Sequence, residues 1–180
     1  MENPKQNNKD NDIDLEELFK NAQEDPELFS KINIETLLDA LEKDSTDYLE
    51  NKTLDIINQE IFNEIQSLQC SIEKKKEICG KLIGYRLVNQ IFELHRGKLV
   101  RTIKIMDEKT NKYITDNPVL RMHGVVMNTK FLDNGTHIVC MNPSRKFSQY
   151  KFDSHLTFQK LSLDEQLILM AYEHIDKNGK

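Results

Sequence analysis

The sequence predicts an α+β protein. An acidic N-terminal helical arm leads into a small antiparallel β domain, a β-barrel-like or strongly bent sheet, which a C-terminal helix caps. Three observations carry this reading. The charges are divided: residues 1–70 hold 18 acidic and 6 basic side chains, while residues 71–160 hold 8 and 17. Apolar residues recur every three or four positions up to about residue 68, the spacing of a helix face. From Tyr85 onward, short apolar runs alternate with tight-turn residues, the pattern of short paired strands.

The elements follow in order. Residues 1–13 contain one buried-type side chain, Ile13, among Asn, Asp and Lys, and read as a disordered tail. Residues 14–70 form the acidic helical arm. Asp14 and the pair Asp25-Pro26 are start signals, since Asp caps free N–H groups and Pro fits the first helical turn. The strongest helix spans 45–68, where Leu54, Ile57, Ile61, Ile65 and Leu68 fall along one stripe. Such a stripe either packs inside the chain or receives a partner helix. Packing inside is the expectation, because fewer than three heptads are short for a coiled coil. Residues 71–84, with Lys74-Lys75-Lys76 and two glycines, are a helix or a linker.

Residues 85–160 make up the β domain. Tyr85–Leu94 and Lys98–Met106 are expected to pair as a hairpin about His95-Arg96-Gly97. A polar loop, 107–118, precedes Gly124–Leu132 and Thr136–Met141, joined by Asp133-Asn134-Gly135, where Asn-Gly is the sharpest hairpin signal in the chain. Asn142-Pro143-Ser144 turns into Arg145–Phe152, and Leu156–Lys160 is the last strand. Residues 161–176 form the closing helix. Ser162 and Glu165 make a capping box, in which each side chain takes the other's backbone N–H. The run Leu167–Tyr172 is apolar nearly all round, so this helix is expected to dock on the β domain or against the N-terminal helices.

Composition bounds the function classes. The three cysteines, Cys70, Cys79 and Cys140, have no framework or metal-ligand spacing, which suits free thiols in a reducing compartment. No apolar leader opens the chain, and no run approaches the about 18 apolar residues of a membrane span. The expectation is an intracellular protein without membrane contact. Lys outnumbers Arg 20 to 5 and Trp is absent, the residue usage of an AT-rich genome.

Three stretches carry a likeness. They are Gly84–Val88 leading to Leu94–Ile103, then Leu120–Val126, then Phe158–Ser162. In this order they resemble uncharacterised small β-rich proteins of large DNA viruses of the mimivirus type, over residues 84–162. The resemblance implies a viral protein, in the particle or in the cytoplasm of the host cell, and carries no functional residue over.

The candidate recognition residues are Arg145, Lys146, Phe147, Tyr150 and Lys151, widened by Arg96, Lys98 and Arg101. Cations neutralise phosphates and aromatic rings stack on bases, so the mixture suits single-stranded nucleic acid. Asn134–Phe152 holds no carboxylate. The competing reading makes Phe147 or Phe152 core and the cations a solvated edge that blocks aggregation. His123, Asp133, His137 and Ser144 share a region but form no catalytic motif, and no histidine–cysteine pair has zinc spacing. No cofactor or metal is expected. Two functions remain: a non-enzymatic interaction or structural protein that meets a protein partner or its own copy through the stripe Leu54–Leu68, or a single-strand nucleic-acid binder with an acidic autoinhibitory arm.

Overall fold

A computed structural model describes residues 47–50, 52–107, 112–114 and 117–178, with 20, 21, 24 and 110 as isolated positions. The tail 1–13 and the first part of the arm, including the starts at Asp14 and Asp25, lie outside the described residues. Three helices are described from residue 47 onward: α1 (Leu54–Ser67), α2 (Ile72–Lys81) and α3 (Leu163–Asn178). Eight strands accompany them: β1 (Tyr85–Val88), β2 (Leu99–Lys104), β3 (Met106–Asp107), β4 (Lys112–Tyr113), β5 (Leu120–Leu132), β6 (Gly135–Met141), β7 (Phe147–Lys151) and β8 (His155–Lys160).

The helix starts are local chemistry. Thr53 Oγ1 accepts the Ile56 N–H at 3.3 Å, and Ser71 Oγ accepts the Lys74 N–H at 3.2 Å. Ser71 thus makes 72–81 a helix rather than a linker. The capping box forms fully: Glu165 N donates to Ser162 Oγ at 3.3 Å, and Ser162 N donates to Glu165 Oε2 at 2.5 Å.

Six strands form one antiparallel sheet in the order β1-β8-β2-β5-β6-β7, and β3 pairs with β4 alone. The expected hairpin between 85–94 and 98–106 does not form. β8 lies between β1 and β2, pairing Leu87 with Phe158 on one side and Arg101 with Phe158 on the other. Residues 91–93 instead make a 3₁₀ turn, and the polar loop carries the β3–β4 ribbon. The physical reason is sequence distance. A local turn can favour pairing of its flanks, but it cannot exclude a strand that returns from residue 155 and buries both its faces.

The meander β2-β5-β6-β7, followed by a strand returning beside β2, is an extended Greek-key order. The sheet curls strongly. Only Phe152–Ser154 join β7 to β8, which stand four places apart in the sheet, and Tyr150 Oη lies 3.4 Å from Thr157 Oγ1 across the interior. The two strands do not pair, so the sheet is bent and not closed into a barrel. β5 supplies much of the bend through two bulges, at His123 against β2 and at Met127 against β6. Beside the first bulge, Gly124 (φ +102°) lets the backbones close: a Cβ there would sit 2.2 Å from the Met141 carbonyl oxygen.

The apolar stripe of α1 lies inside the molecule. Ile57 packs with Leu49, Leu167 and Leu169 beneath α3. Ile61, Ile65 and Leu68 pack with Ile78 of α2, with Leu82 that caps its C-terminus, and with Leu87, Ile103 and Phe158 of the sheet. Leu54 is half-buried against the α3 core. The stripe proposed above as a docking strip for a partner is therefore covered by this chain. The helix α3 rests on α1 and the 47–49 turn, and its first turn is tied to β1 through Glu165 and Arg86. Inside the curl, Val100, Val126, Ile138, Cys140 and Tyr150 form a third core. Among the described residues no helix is long and apolar enough to cross a membrane.

Candidate nucleic-acid interface

The helices cover only part of the sheet. On β5, β6 and β7 the same sheet face is left open, and register orders it into three rows. Val125, Met141 and Phe147 lie side by side; then Asn128, Val139 and Gln149; then Lys130, His137 and Lys151. Alternation along β7 sends Phe147, Gln149 and Lys151 outward and Ser148 and Tyr150 inward. The first row is apolar; the last sets Lys130 and Lys151 on either side of His137, which is itself buried at 9% exposure.

Phe147 is 68% exposed, against 4% for Tyr150. A ring that open at the start of a strand is no core residue, and it stands one residue beyond the exposed cations Arg145 and Lys146. Those two sit in the β6–β7 turn. Arg145 N donates to the Asn142 carbonyl and Lys146 N to Asn142 Oδ1, both at 2.9 Å, so Asn142 shapes the turn and Pro143 stiffens it. Arg145 adopts φ +59°, the left-handed region where glycine is the usual occupant. The basic row is held by a relay. Gln149 Nε2 donates to His137 Nδ1 at 2.8 Å, which leaves the other ring nitrogen, Nε2, to donate to Asn134 Oδ1 at 3.1 Å.

The other expected contacts divide. Arg96 is exposed, and its Nε donates to the Met127 carbonyl at 2.8 Å, which puts a cation at the edge of β5. Lys98 is half-buried beside it. Arg101 is turned away: its Nη1 bonds the Lys81 carbonyl at the end of α2 at 2.7 Å, and its guanidinium lies over the Tyr85 ring. Tyr150 is interior, and burial pushes its phenol pKa up. Neither Arg101 nor Tyr150 belongs to the face. Sequence reasoning missed Lys130 and His137 as members of this face. Strand alternation puts Gln149 on the side of Phe147 and Lys151, but only register brings the residues of β5 and β6 alongside.

Two polar clusters lie elsewhere. In the gap between β7 and β8, His123 Nε2 lies 2.9 Å from Thr102 Oγ1, and its ring packs 4.7 Å from Tyr150 and 6.4 Å from His155. Burial, with the neighbouring His155 and Arg121, lowers its pKa to about 4. The second cluster is buried under α3. Arg86 Nε pairs with Glu165 Oε1 at 3.2 Å, its Nη2 donates to the Glu93 carbonyl, and its guanidinium lies 3.9 Å from the Tyr48 ring centre. Tyr48 donates its hydroxyl to the same Glu165 oxygen at 2.5 Å. Burial raises the Glu165 pKa, but the Ser162 N–H, Tyr48 and Arg86 outweigh it and hold the carboxyl below its usual value.

His123 has a hydroxyl near each ring nitrogen, with Ser148 Oγ 3.5 Å from Nδ1. Among the described residues, no three of His, Cys, Asp and Glu gather as a metal site would require. Cys140 is buried, which pushes its thiol up to about 12, and Cys70 and Cys79 are free thiols. His137 and Ser144, weighed above with His123 and Asp133, lie in the outward relay's row and in the β6–β7 turn, apart from the His123 cluster. No protein-family model, no curated protein and no solved structure matches the chain.

Proposed function

We propose that this chain is a non-enzymatic binding protein that takes a single-stranded nucleic acid on the open face of β5, β6 and β7. The observation behind it is Phe147, an exposed ring in one face with Gln149 and Lys151, beside Arg145 and Lys146. From Val119 to Phe152 the chain has one carboxylate, Asp133. A base stacks on Phe147, while Arg145, Lys146, Lys151, Lys130 and Arg96 neutralise phosphates along the strand. Stacking is indifferent to sequence because every base has a π-face. By the resemblance to proteins of large DNA viruses, the setting is the virus particle or the infected cytoplasm.

The test is anisotropy of a labelled single strand of about 16 nucleotides, titrated with the full chain across salt. Affinity should fall steeply between about 50 and 200 mM salt. Phe147→Ala should weaken binding about tenfold without changing the salt slope, since it removes stacking and no cation. Lys146→Ser should lower the slope by about 0.7. No binding at low salt overturns the proposal, provided a chain with its N-terminal carboxylates neutralised also fails.

A second reading rests on a groove of about 610 Å³ between α1 and α2, lined by Phe62, Cys79 and Ile83 among others. Phe62 is 46% and Ile83 76% exposed. An amphipathic helix of a protein partner would fit such a surface. Phe62→Glu would abolish that interaction and leave nucleic-acid binding untouched.

A further inference from the structure

We infer that Gln149 selects bases on the open face: held by His137 and Asn134, its amide accepts a hydrogen bond from the exocyclic amine of the base stacked on Phe147. The inference deepens the proposed function and rests on it for the ligand, while the setting of the amide is measurable without one. The face then favours adenine and cytosine, which carry an amine where thymine and uracil carry a carbonyl oxygen. His137 and Asn134 are positioning residues, which act on the ligand only through Gln149.

Strand geometry puts the amide where a base edge falls. Phe147, Gln149 and Lys151 stand on one face of β7, each about 6.6 Å along the strand from the next. A base stacked on Phe147 brings one edge to the exposed Gln149, and Lys151 beyond it meets the phosphate. In the register Gln149 lies beside Val139 and diagonal to His137. A diagonal partner is within reach of a long side chain, and the Gln149 amide does meet His137, at 2.8 Å.

The relay decides which atom of the amide is left for a ligand. A neutral imidazole has one N–H and one bare nitrogen. Asn134 meets the His137 Nε2 with its Oδ1 at 3.1 Å, and that oxygen can only accept. Nε2 therefore carries the proton, and Nδ1 is the acceptor. Gln149 meets Nδ1 with its amide nitrogen, which turns Oε1 away from the ring. The atom offered to a ligand is thus an acceptor. Adenine N6 and cytosine N4 donate to it. Thymine sets its O4 there, and its one N–H is flanked by two carbonyl oxygens, so acceptor meets acceptor. A site built to meet one hydrogen-bonding group rejects the analogue that lacks it.

The test compares an adenine oligonucleotide of about 16 nucleotides with its purine analogue, identical but for the missing amine. Both are titrated with the full chain at about pH 8, above the usual titration range of imidazole. Adenine should bind about fivefold tighter, the effect of one net hydrogen bond. Gln149→Leu should erase the difference and leave the salt slope unchanged, since no cation is lost. His137→Leu should shrink the difference, because the amide is then free to turn over; a purely structural role would weaken both oligonucleotides alike. Equal affinities in the unaltered chain overturn the inference and leave the nucleic-acid reading standing. No binding of either at low salt, by the full chain or with its N-terminal carboxylates neutralised, overturns both. Nitrogen NMR of the isotope-labelled free chain tests the relay alone. His137, assigned by its loss in His137→Leu, should carry its proton on Nε2; a proton on Nδ1 overturns the inference whatever binds.

Discussion

Arg145 is the residue whose conformation and chemistry pull apart. Its φ of +59° costs a side chain with a Cβ about 1 kcal/mol, and glycine would avoid it. Strain kept at the tip of a basic turn points to use of the side chain, not to the needs of the turn. Arg145→Gly should therefore raise stability by about 1 kcal/mol in urea unfolding while lowering the salt slope of oligonucleotide binding by about 0.7. A purely structural role would leave the slope unchanged. His123 makes a different prediction. It stays neutral in the folded chain down to about pH 4, whereas in the unfolded chain it takes up a proton near 6.5. Above pH 6.5 the two states bind equally and His123 adds no pH dependence. As pH falls from 6.5 towards 4 the unfolded chain binds the extra proton, and stability drops. The melting temperature should decline over that window, and the decline should flatten in His123→Gln.

Among the elements, β1 and α3 are locked by one buried ion pair. Arg86 is 1% and Glu165 3% exposed. Deleting one partner leaves a buried charge, so Arg86→Met should cost about 3–5 kcal/mol in urea unfolding. Arg86→Met with Glu165→Gln should recover part of the loss, because glutamine removes the orphaned charge while its amide oxygen can still accept from Ser162 N–H or the Tyr48 hydroxyl. Much of the element level was legible in the sequence. The capping box at Ser162, the turn at Asn142-Pro143 and the stripe of α1 all rest on contacts within a few residues. The Asn-Gly hairpin formed with a shift: the loop residues are Asp133 and Asn134, and Gly135 opens β6 at φ +120°. The false hairpin at His95-Arg96-Gly97 shows the limit. A glycine turn reports that the chain bends there, and Gly97 does take φ +80°, but what pairs with its flanks is decided by β8.

Over the whole molecule, the charge boundary near residue 70 falls between two helices, not between helix and sheet. α1 before it and α2 after it pack together on β1, β8 and β2, and the basic part of the sheet from β5 to β7 keeps an open face. Strand alternation along 145–152 separates Arg145, Phe147, Gln149 and Lys151 from Lys146, Ser148, Tyr150 and Phe152, yet each set mixes cations with rings, so alternation alone does not say which set faces solvent. Curvature made the choice. The curl of the sheet turns Tyr150 towards Thr157 and leaves Phe147 outside. Long-range strand pairing also brings Lys130, His137 and Lys151 into one row, while Arg101 is tied to the C-terminal end of α2. By itself, the sequence determined the local parts of this protein: the α+β class, the caps, the turns and the division of charge. Those depend on interactions between near neighbours. The tertiary structure alone decided strand order, the fate of the α1 stripe and the composition of the open face, because each depends on residues that meet only when distant strands pair.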